Sequence, residues 1–336
     1  MLYKKLQLLL VVVIPVLVAG TCNNQPGPPD AGLYHTNAEI GNDLHDLQTR
    51  FPGIAKVVEL GASLEGRKIW AIKISDQVAQ EEDEPEILFV GGHHAREWIA
   101  VDVPFLLAKY IVEHYATDAT VKNFVDTGEI WIVPLLNPDG HQYTVTSNRL
   151  WRKNRRNNGD GTFGVDLNRN YSFHWGGPGS SGDTFSEIYR GPEPFSEPET
   201  KVLKAFIEQH AFKALISYHS YSQLVLFPWG YTNDPAPDEP LMSNLAQTMA
   251  DSILAVHGKT YVPEQSSDLY LASGDATDWL YGETRVPSYT IELRPRSSFP
   301  GFQLPESEIQ PTFEENLPAA LFLIQWTQTA SQMTTL

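Results

Sequence analysis

His94 and Glu97, three residues apart, are the pair in this sequence best suited to binding a metal ion. They directly follow the apolar run Glu86–Gly91, which predicts a buried strand, so they lie at a strand-to-helix turn. Nitrogen and carboxylate ligands suit zinc, and a catalytic zinc takes three protein ligands. His219 ends a second predicted strand and is the candidate third ligand. So short a motif also occurs where a histidine only satisfies backbone groups, and the residues alone leave both interpretations open.

Strands that alternate with helices must position these side chains. Apolar runs predict strands over residues 57–61, 68–74, 86–91, 129–136, 213–219 and 287–293, the first two joined by a turn at Glu65-Gly66. Helical spacing predicts helices over 37–50, 98–115 and 311–329, and another that begins with a capping box at Ser196. This alternation predicts an α/β fold with helices on both faces of the sheet and a site at the strands' carboxyl ends.

Composition and charge narrow the possible partners. The 336 residues carry a net charge of −17, which argues against a nucleic acid partner. The single cysteine, Cys22, excludes a disulfide within the chain. Lys4 and Lys5, the apolar run 6–19 and small residues before Cys22 predict a signal peptide, with a retained membrane anchor as the alternative. After export, Cys22 would be lipidated, or the protein would be released without lipid.

We expect four segments along the chain. They are a signal peptide over residues 1–21, a flexible linker over 22–34, a single catalytic domain over 35–330, and a tail over 331–336. The Pro- and Gly-rich composition of residues 23–32 is typical of a tether.

Six motifs occur in an order that resembles the zinc metallocarboxypeptidases of the digestive carboxypeptidase A and B type. The resemblance covers nearly all of residues 36–328, and its motifs are HAREW at 94–98, NPDG at 137–140, NRLWRKNR at 148–155, DLNRN at 166–170, HSYSQ at 219–223 and TIELR at 290–294. It implies a single α/β domain with a mixed eight-stranded sheet. It also implies one zinc ion held by His94, Glu97 and His219.

The resemblance implies catalytic roles for two further residues. Glu292 matches the family's catalytic glutamate, and a carboxylate is a suitable base for an attacking water. Arg152 matches the arginine that stabilises the developing oxyanion. The substrate would be the C-terminal end of a peptide or protein. The residues that match substrate-binding positions are Arg96, Arg149, Asn168, Arg169, Tyr221 and Tyr270, of which Asn168, Arg169 and Tyr270 would hold the terminal carboxylate.

Specificity in this family depends on the base of the pocket for the terminal side chain. The alignment of residues 273–279 puts Thr277 at the deciding position and Asp275 two residues earlier. This pair resembles bacterial carboxypeptidase T, which implies acceptance of both apolar and basic ends. Asp275 as an ordinary surface loop residue is the alternative. The pocket walls would be Leu226, Gly230, Leu269 and Thr290.

The acidic run 81–86 is either a solvated loop or part of a second metal site. Resemblance to carboxypeptidase T implies calcium ligands at Asp76, Glu82, Glu84, Glu86 and Glu129.

The segment between Cys22 and the first helix is too short for a propeptide of domain size. We expect a monomer, secreted or anchored as a lipoprotein through Cys22. Two other functions stay open, a cell-wall peptide hydrolase and an inactive module that binds peptide ends.

Overall fold

The computed structural model describes residues 34–80 and 82–333, with side chains through residue 330. We number its elements in chain order. The strands are β1 Ala55–Ala62, β2 Lys68–Ile74, β3 Glu86–Val90, β4 Glu129–Val133, β5 Phe212–Ser220, β6 Leu224–Phe227, β7 Val262–Gln265 and β8 Ser288–Leu293. The helices are α1 Asn37–Arg50, α2 Ile99–His114, α3 Ala119–Asp126, α4 Pro138–Thr146, α5 Pro198–Ile207, α6 Glu239–His257, α7 Ser266–Leu269, α8 Ala276–Thr284 and α9 Ile309–Met333. Short 3-10 turns occupy Leu167–Arg169 and Glu306–Glu308.

All eight strands form one mixed sheet in the order β1-β2-β4-β3-β5-β8-β6-β7, which confirms the predicted fold class. The four central strands β4, β3, β5 and β8 run parallel to one another. β2 pairs antiparallel with β4, and β6 pairs antiparallel with β8. The carboxyl ends of β3, β5 and β8 therefore meet at one edge of the sheet, where such folds bind ligands.

Apolar side chains alternate between two cores, one on each face of the sheet. In β3, Ile87 and Phe89 contribute to the first core, whereas Leu88 and Val90 contribute to the second. Residues of α1, α2, α3, α6 and α9 cover the first face, and residues of α5 and α8 cover the second. Helices on both faces explain why the central strands are buried along nearly their whole length instead of alternating between buried and exposed residues.

The predicted capping box at Ser196 is wrong, although a helix does begin nearby. α5 begins at Pro198 with Glu197 as its N-cap residue, and no side chain caps it. The Ser196 hydroxyl instead donates to the Glu197 carboxylate at 2.7 Å and accepts from Asn170 at 2.9 Å. By contrast, Thr36 and Glu39 form a complete capping box on α1, whose bounds match the prediction.

Several of the predictions concern segments that lie outside the described residues. They are the signal peptide over residues 1–21, Cys22, nearly all of the linker and the end of the tail. Among the described residues, no helix combines the length and apolar composition needed to cross a lipid bilayer. The boundaries of the four segments remain predictions.

Candidate active site at the carboxyl edge of the sheet

His94 and Glu97 lie in the turn between β3 and α2, and His219 lies near the end of β5. Gly92 makes that turn possible, because its φ of +67° suits glycine and an added Cβ would come within 2.8 Å of Leu135. In β8, Glu292 pairs directly with His219 across the parallel ladder. Three strands thus bring together residues that are far apart in the sequence.

The three predicted metal ligands form one buried cluster. Glu97 Oε1 lies 2.8 Å from His94 Nδ1, and Glu97 Oε2 lies 3.0 Å from His219 Nδ1. The two histidine Nδ1 atoms are 3.1 Å apart, and the potential ligand atoms of all three residues lie within 4.8 Å of one another. Two imidazole nitrogens and a carboxylate that converge in this way fit a zinc ion.

A second layer of hydrogen bonds orients both imidazoles. His94 Nε2 lies 3.1 Å from Asp166 Oδ1, and His219 Nε2 lies 3.1 Å from the Ser217 hydroxyl. A carboxylate only accepts, so Asp166 holds the His94 proton on Nε2 and leaves the Nδ1 lone pair facing the cluster. Asp166 was not among the predicted site residues, although it immediately precedes Leu167 and Asn168 in a motif that resembles the family.

Arg152 joins this cluster through Asp166. Its Nε and Nη2 donate to Asp166 Oδ2 at 3.1 Å and 2.9 Å, and its Nη1 lies 3.9 Å from Glu97 Oε1. Burial opposes the charge of the guanidinium, yet the Asp166 carboxylate keeps the pKa of Arg152 raised. Burial likewise opposes ionisation of Asp166, but Arg152 and His94 hold the pKa of that acid well below its usual range.

Glu292 has the opposite electrostatic character to Asp166. It is buried, and burial together with the nearby Glu97 carboxylate raises the pKa of Glu292 to about 8. His219, Arg152 and Arg169 oppose this rise, and so would a cation at the cluster.

A cleft of about 540 Å³ lies over this cluster, with His94, Glu97, Arg152 and Glu292 in its lining. Most of the predicted site residues border it, namely His94, Arg96, Glu97, Arg152, Arg169, Tyr221, Tyr270 and Glu292. Phe302, which the sequence did not single out, also lines it and lies 4.2 Å under the Arg96 guanidinium. Nothing in the local sequence marks Phe302, because its position follows from the loop after β8.

The predicted carboxylate clamp is held rigidly on one side of the cleft. Arg169 donates from Nε to the Gly179 carbonyl and from Nη1 to the Asn168 carbonyl, both at 2.7 Å. Asn168 Oδ1 accepts from the Ala276 amide at 3.0 Å, which ties the 3-10 turn to the start of α8. Tyr270 is 49% exposed, with its ring 5.8 Å from the Arg169 guanidinium, so the phenol is open to a ligand.

Arg149 does not line this cleft. Its guanidinium is held instead by two backbone carbonyls and an aromatic ring. It donates to the Arg96 carbonyl at 2.8 Å and to the Phe302 carbonyl at 2.5 Å, and it stacks on Trp98 at 3.7 Å. Arg149 therefore connects the two loops that carry Arg96 and Phe302.

Asp275 and Thr277 are both buried at the start of α8. Asp275 is only 6% exposed, so the alternative of a surface loop residue is wrong. As the N-cap residue, its Oδ1 accepts from the amides of Thr277 and Asp278 and from the Thr277 hydroxyl at 2.7 Å. Its Oδ2 is buried with no hydrogen-bond partner among the described residues.

Three of the five predicted calcium ligands lie together. Asp76, Glu82 and Glu84 have carboxylate oxygens within 4.8 Å of one another. Glu129 lies beside them, since its Oε1 accepts from the Glu82 amide at 3.3 Å. Glu86 lies apart from this group, because its two oxygens contact the His210 ring and the Ala211 amide, each at 2.5 Å. Calcium binding by the other four residues stays a prediction.

Comparisons with known proteins agree with this geometry. Residues 40–319 match the family model described as zinc carboxypeptidase. Carboxypeptidase B of Astacus astacus is 41% identical over 84% of this chain and 93% of its own length, and carboxypeptidase A2 of Rattus norvegicus is 39% identical over 84% and 67%. The crystal structure of thrombin-activatable fibrinolysis inhibitor superimposes with a TM-score of 0.85 at 32% identity, over 89% of this chain and 75% of that chain. The chain therefore belongs to the zinc carboxypeptidase family, and it is a zinc-dependent enzyme that hydrolyses the C-terminal peptide bond of its substrates.

Proposed function

We propose that this enzyme releases single residues from free peptide C-termini, with Glu292 and Arg152 as catalytic residues and His94, Glu97 and His219 as zinc ligands. The observation that carries the proposal is the shared cleft, which is lined by two of the three metal ligands, a buried acid and two fixed arginines. A module that only bound peptide ends would have no use for Glu292 and Arg152 beside the metal cluster.

Glu292 is the proposed base and then the proposed acid. When bound, zinc supplies Lewis acidity beside the reacting carbonyl. Glu292 removes a proton from the attacking water and returns it to the leaving nitrogen, which requires a pKa near the working pH. Burial and the neighbouring Glu97 raise the pKa of Glu292 to about 8, and a bound cation would oppose this rise.

Arg152 is the proposed stabiliser of the negative charge that develops on the carbonyl oxygen. Its two bonds to Asp166 fix the guanidinium before the substrate arrives, so no reorganisation is needed during the reaction. Asp166 therefore serves two partners, because it also orients His94.

Arg169, Asn168 and Tyr270 are the proposed clamp for the terminal carboxylate. Nε and Nη1 of Arg169 are bound by backbone carbonyls, which leaves Nη2 available to a ligand in the cleft. An arginine paired with a carboxylate is a strong and directional contact. An internal peptide bond offers no such carboxylate, so the clamp selects chain ends.

Arg96, Arg149 and Tyr221 are the proposed contacts for the approaching peptide. Arg96 and Tyr221 line the cleft and both contact the Phe302 ring, and Arg149 supports them from behind through the carbonyls of Arg96 and Phe302.

We propose that Asp275 and Thr277 give the enzyme broad specificity for apolar and basic terminal residues. The buried Asp275 Oδ2, which lacks a partner, can accept a basic side chain, and the Thr277 hydroxyl is turned toward Asp275. Export through the N-terminal segment, with or without a lipid on Cys22, is proposed from the pattern of residues 1–22.

A pair of peptides that differ only at the terminus tests the exopeptidase proposal. One ends in a free carboxylate and the other in a carboxamide, and mass spectrometry follows the products of both. We expect stepwise loss of single residues from the free acid and a rate lower by about a hundredfold or more for the amide, since the charged contact with Arg169 is lost. Cleavage of both peptides at similar rates, or cleavage at internal bonds, would overturn the proposal.

A further inference from the structure

We propose that Asp275 and Asp278 act as one proton-sharing unit at the pocket for the terminal side chain, which releases its proton when a basic residue binds and keeps it when an apolar residue binds. The inference rests on the proposed function, because it places Asp275 against the terminal side chain. It adds Asp278 as a specificity-determining residue and makes the choice of substrate dependent on pH.

Both carboxyl groups are buried and border the same glycine. Asp275 is 6% exposed and Asp278 is 0% exposed. The Gly230 amide donates to both oxygens of Asp278 at 2.9 Å, and a Cβ added at Gly230 would lie 3.2 Å from Asp275 Oδ2. The Asp278 amide in turn donates to Asp275 Oδ1 at 2.9 Å. The two acids therefore meet in one small volume that a side chain at position 230 would fill.

Neither acid has a cationic partner. Within residues 34–80 and 82–333, no lysine, arginine or histidine forms a salt bridge with Asp275 or Asp278. Asp278 is satisfied by the Gly230 and Tyr231 amides, whereas Asp275 Oδ2 has no partner. Two buried like charges side by side are unfavourable, and a single shared proton removes one of them.

The groups that face the pair do not supply a positive charge. Tyr171, beside the 3-10 turn, and Tyr231, after β6, are the phenols that feel these acids, and burial raises both of their pKa values, so both stay neutral. Asp234 is the other charged group that acts on Tyr231, and it is negative. Arg169 borders Gly274 through its backbone carbonyl and directs its guanidinium to Gly179 and Asn168. Burial and then Asp275 raise the pKa of Asp278 well above its usual range.

A proton held in this way accounts for tolerance of two kinds of chain end. With the proton in place the pocket carries one charge fewer, which lowers the cost of an apolar side chain beside it. A lysine or arginine side chain brings the missing cation, so the proton leaves and both carboxylates are ionised around the bound charge. A permanently charged pocket base would disfavour the apolar substrate.

The pH dependence of substrate preference tests the inference on the wild-type enzyme. Two peptides, identical except for terminal Arg or Leu, are compared through the ratio of their kcat/KM values from about pH 5 to 9. Effects of Glu292 and of zinc are common to both peptides and cancel in the ratio. We expect the Arg/Leu ratio to rise by up to about tenfold per pH unit and then level off, because one proton is released.

A ratio that stays constant with pH while Arg is released would overturn the proton-sharing unit and leave broad specificity intact. Failure to release Arg at any pH would overturn both the inference and the proposed specificity. The two failures are therefore distinguishable in one data set.

Asp275→Asn provides the matched variant, because asparagine keeps an oxygen that can cap α8. We expect the Arg/Leu ratio at about pH 8 to fall at least tenfold and to lose its dependence on pH, in line with the loss of one charged contact. Asp268→Asn removes a carboxylate from the exposed surface of α7 and should keep the wild-type slope. A wild-type slope in Asp275→Asn would contradict the inference.

Discussion

Buried acids on the two sides of the cleft have different partners. At the metal cluster, Asp166 contacts Arg152 and His94, and Glu97 contacts His94 and His219. At the start of α8, the hydrogen bonds that Asp275 and Asp278 accept within the described part of the chain come from N–H and O–H groups. The first region is thus electrostatically complete apart from its metal ion, whereas no described lysine, arginine or histidine forms a salt bridge in the second.

This difference separates what is common to all substrates from what varies. Ion pairs fix Arg152 and His94 in position before any peptide binds, as catalysis requires. The acids near Gly230 form no salt bridge among the described residues, so a basic side chain of the substrate can supply the positive charge. Paired acids should therefore resist protonation down to low pH, whereas a buried acid without a cation beside it should keep its proton to a higher pH than an ordinary carboxyl group.

The largest expected effect comes from breaking the paired region at Arg152. In Arg152→Gln, kcat should fall by about 10²–10³-fold, because a fixed charge at the developing oxyanion is lost. Steady-state kinetics on a peptide with a free carboxyl end measure the change.

Arg155→Gln is the matched control, since this arginine stacks on Tyr143 at 3.7 Å and does not line the cleft. It should keep kcat within about threefold of the wild type, as surface substitutions usually do. Equal losses in the two variants would indicate a general charge effect and contradict the role of Arg152.

Glu199 is another buried acid for which no cationic partner is found among the described residues, and its effect on stability can be measured. This residue is fully buried on α5, and burial raises its pKa from 4.5 to about 8. The folded state therefore binds a proton that the unfolded state releases, and the free energy of unfolding falls as pH rises between these two values. The slope is at most roughly 1.4 kcal/mol per pH unit.

Glu199→Gln should remove this contribution, so the variant loses less stability between about pH 5 and 8 than the wild type. Urea unfolding at several pH values measures the difference. Asp166 is the paired counterpart, and its low pKa means that it contributes stability that is lost only in strong acid. An unchanged pH slope in Glu199→Gln would show that this carboxyl group is not protonated in the folded state.

The smallest expected effect is that of calcium on the acidic cluster around Glu84. Burial and the neighbouring carboxylates raise the pKa of Glu84 to about 7, so a divalent cation should relieve their repulsion. Millimolar CaCl₂ should raise the melting temperature by roughly 2–4 °C. Glu84→Gln should abolish the increase and Glu86→Gln should keep it; no increase in the wild type would contradict calcium binding.

The sequence predicted the central strands and the edge at which the site lies. β3, β5 and β8 each contain a short, largely apolar run, which is consistent with a buried strand when its length is four to eight residues. β6 and β7 were missed because each has only four residues, and β7 is a partly exposed edge strand with a proline. The pairing of β6 with β8 and of β7 with β6 depends on tertiary contacts that local patterns do not contain.

Residue types predicted the metal cluster, but not the groups that support it. His94, Glu97 and His219 stood out through their spacing and strand ends, whereas Asp166 acts through tertiary contacts with His94, 72 residues away, and with Arg152. The pairing of Asp275 with Asp278 at Gly230 was also hidden, because two aspartates three residues apart are usual at a helix start. Only the buried environment gives them their unusual electrostatics.

We propose that Glu292 moves the proton, while His94, Glu97 and His219 hold the zinc ion. The direct test is Glu292→Gln, with zinc content measured by metal analysis and kcat measured on a peptide with a free carboxyl end. We predict one zinc ion per chain and a kcat lower by about 10²–10⁴-fold. A variant that keeps its zinc and retains kcat within a few-fold of the wild type would contradict the account.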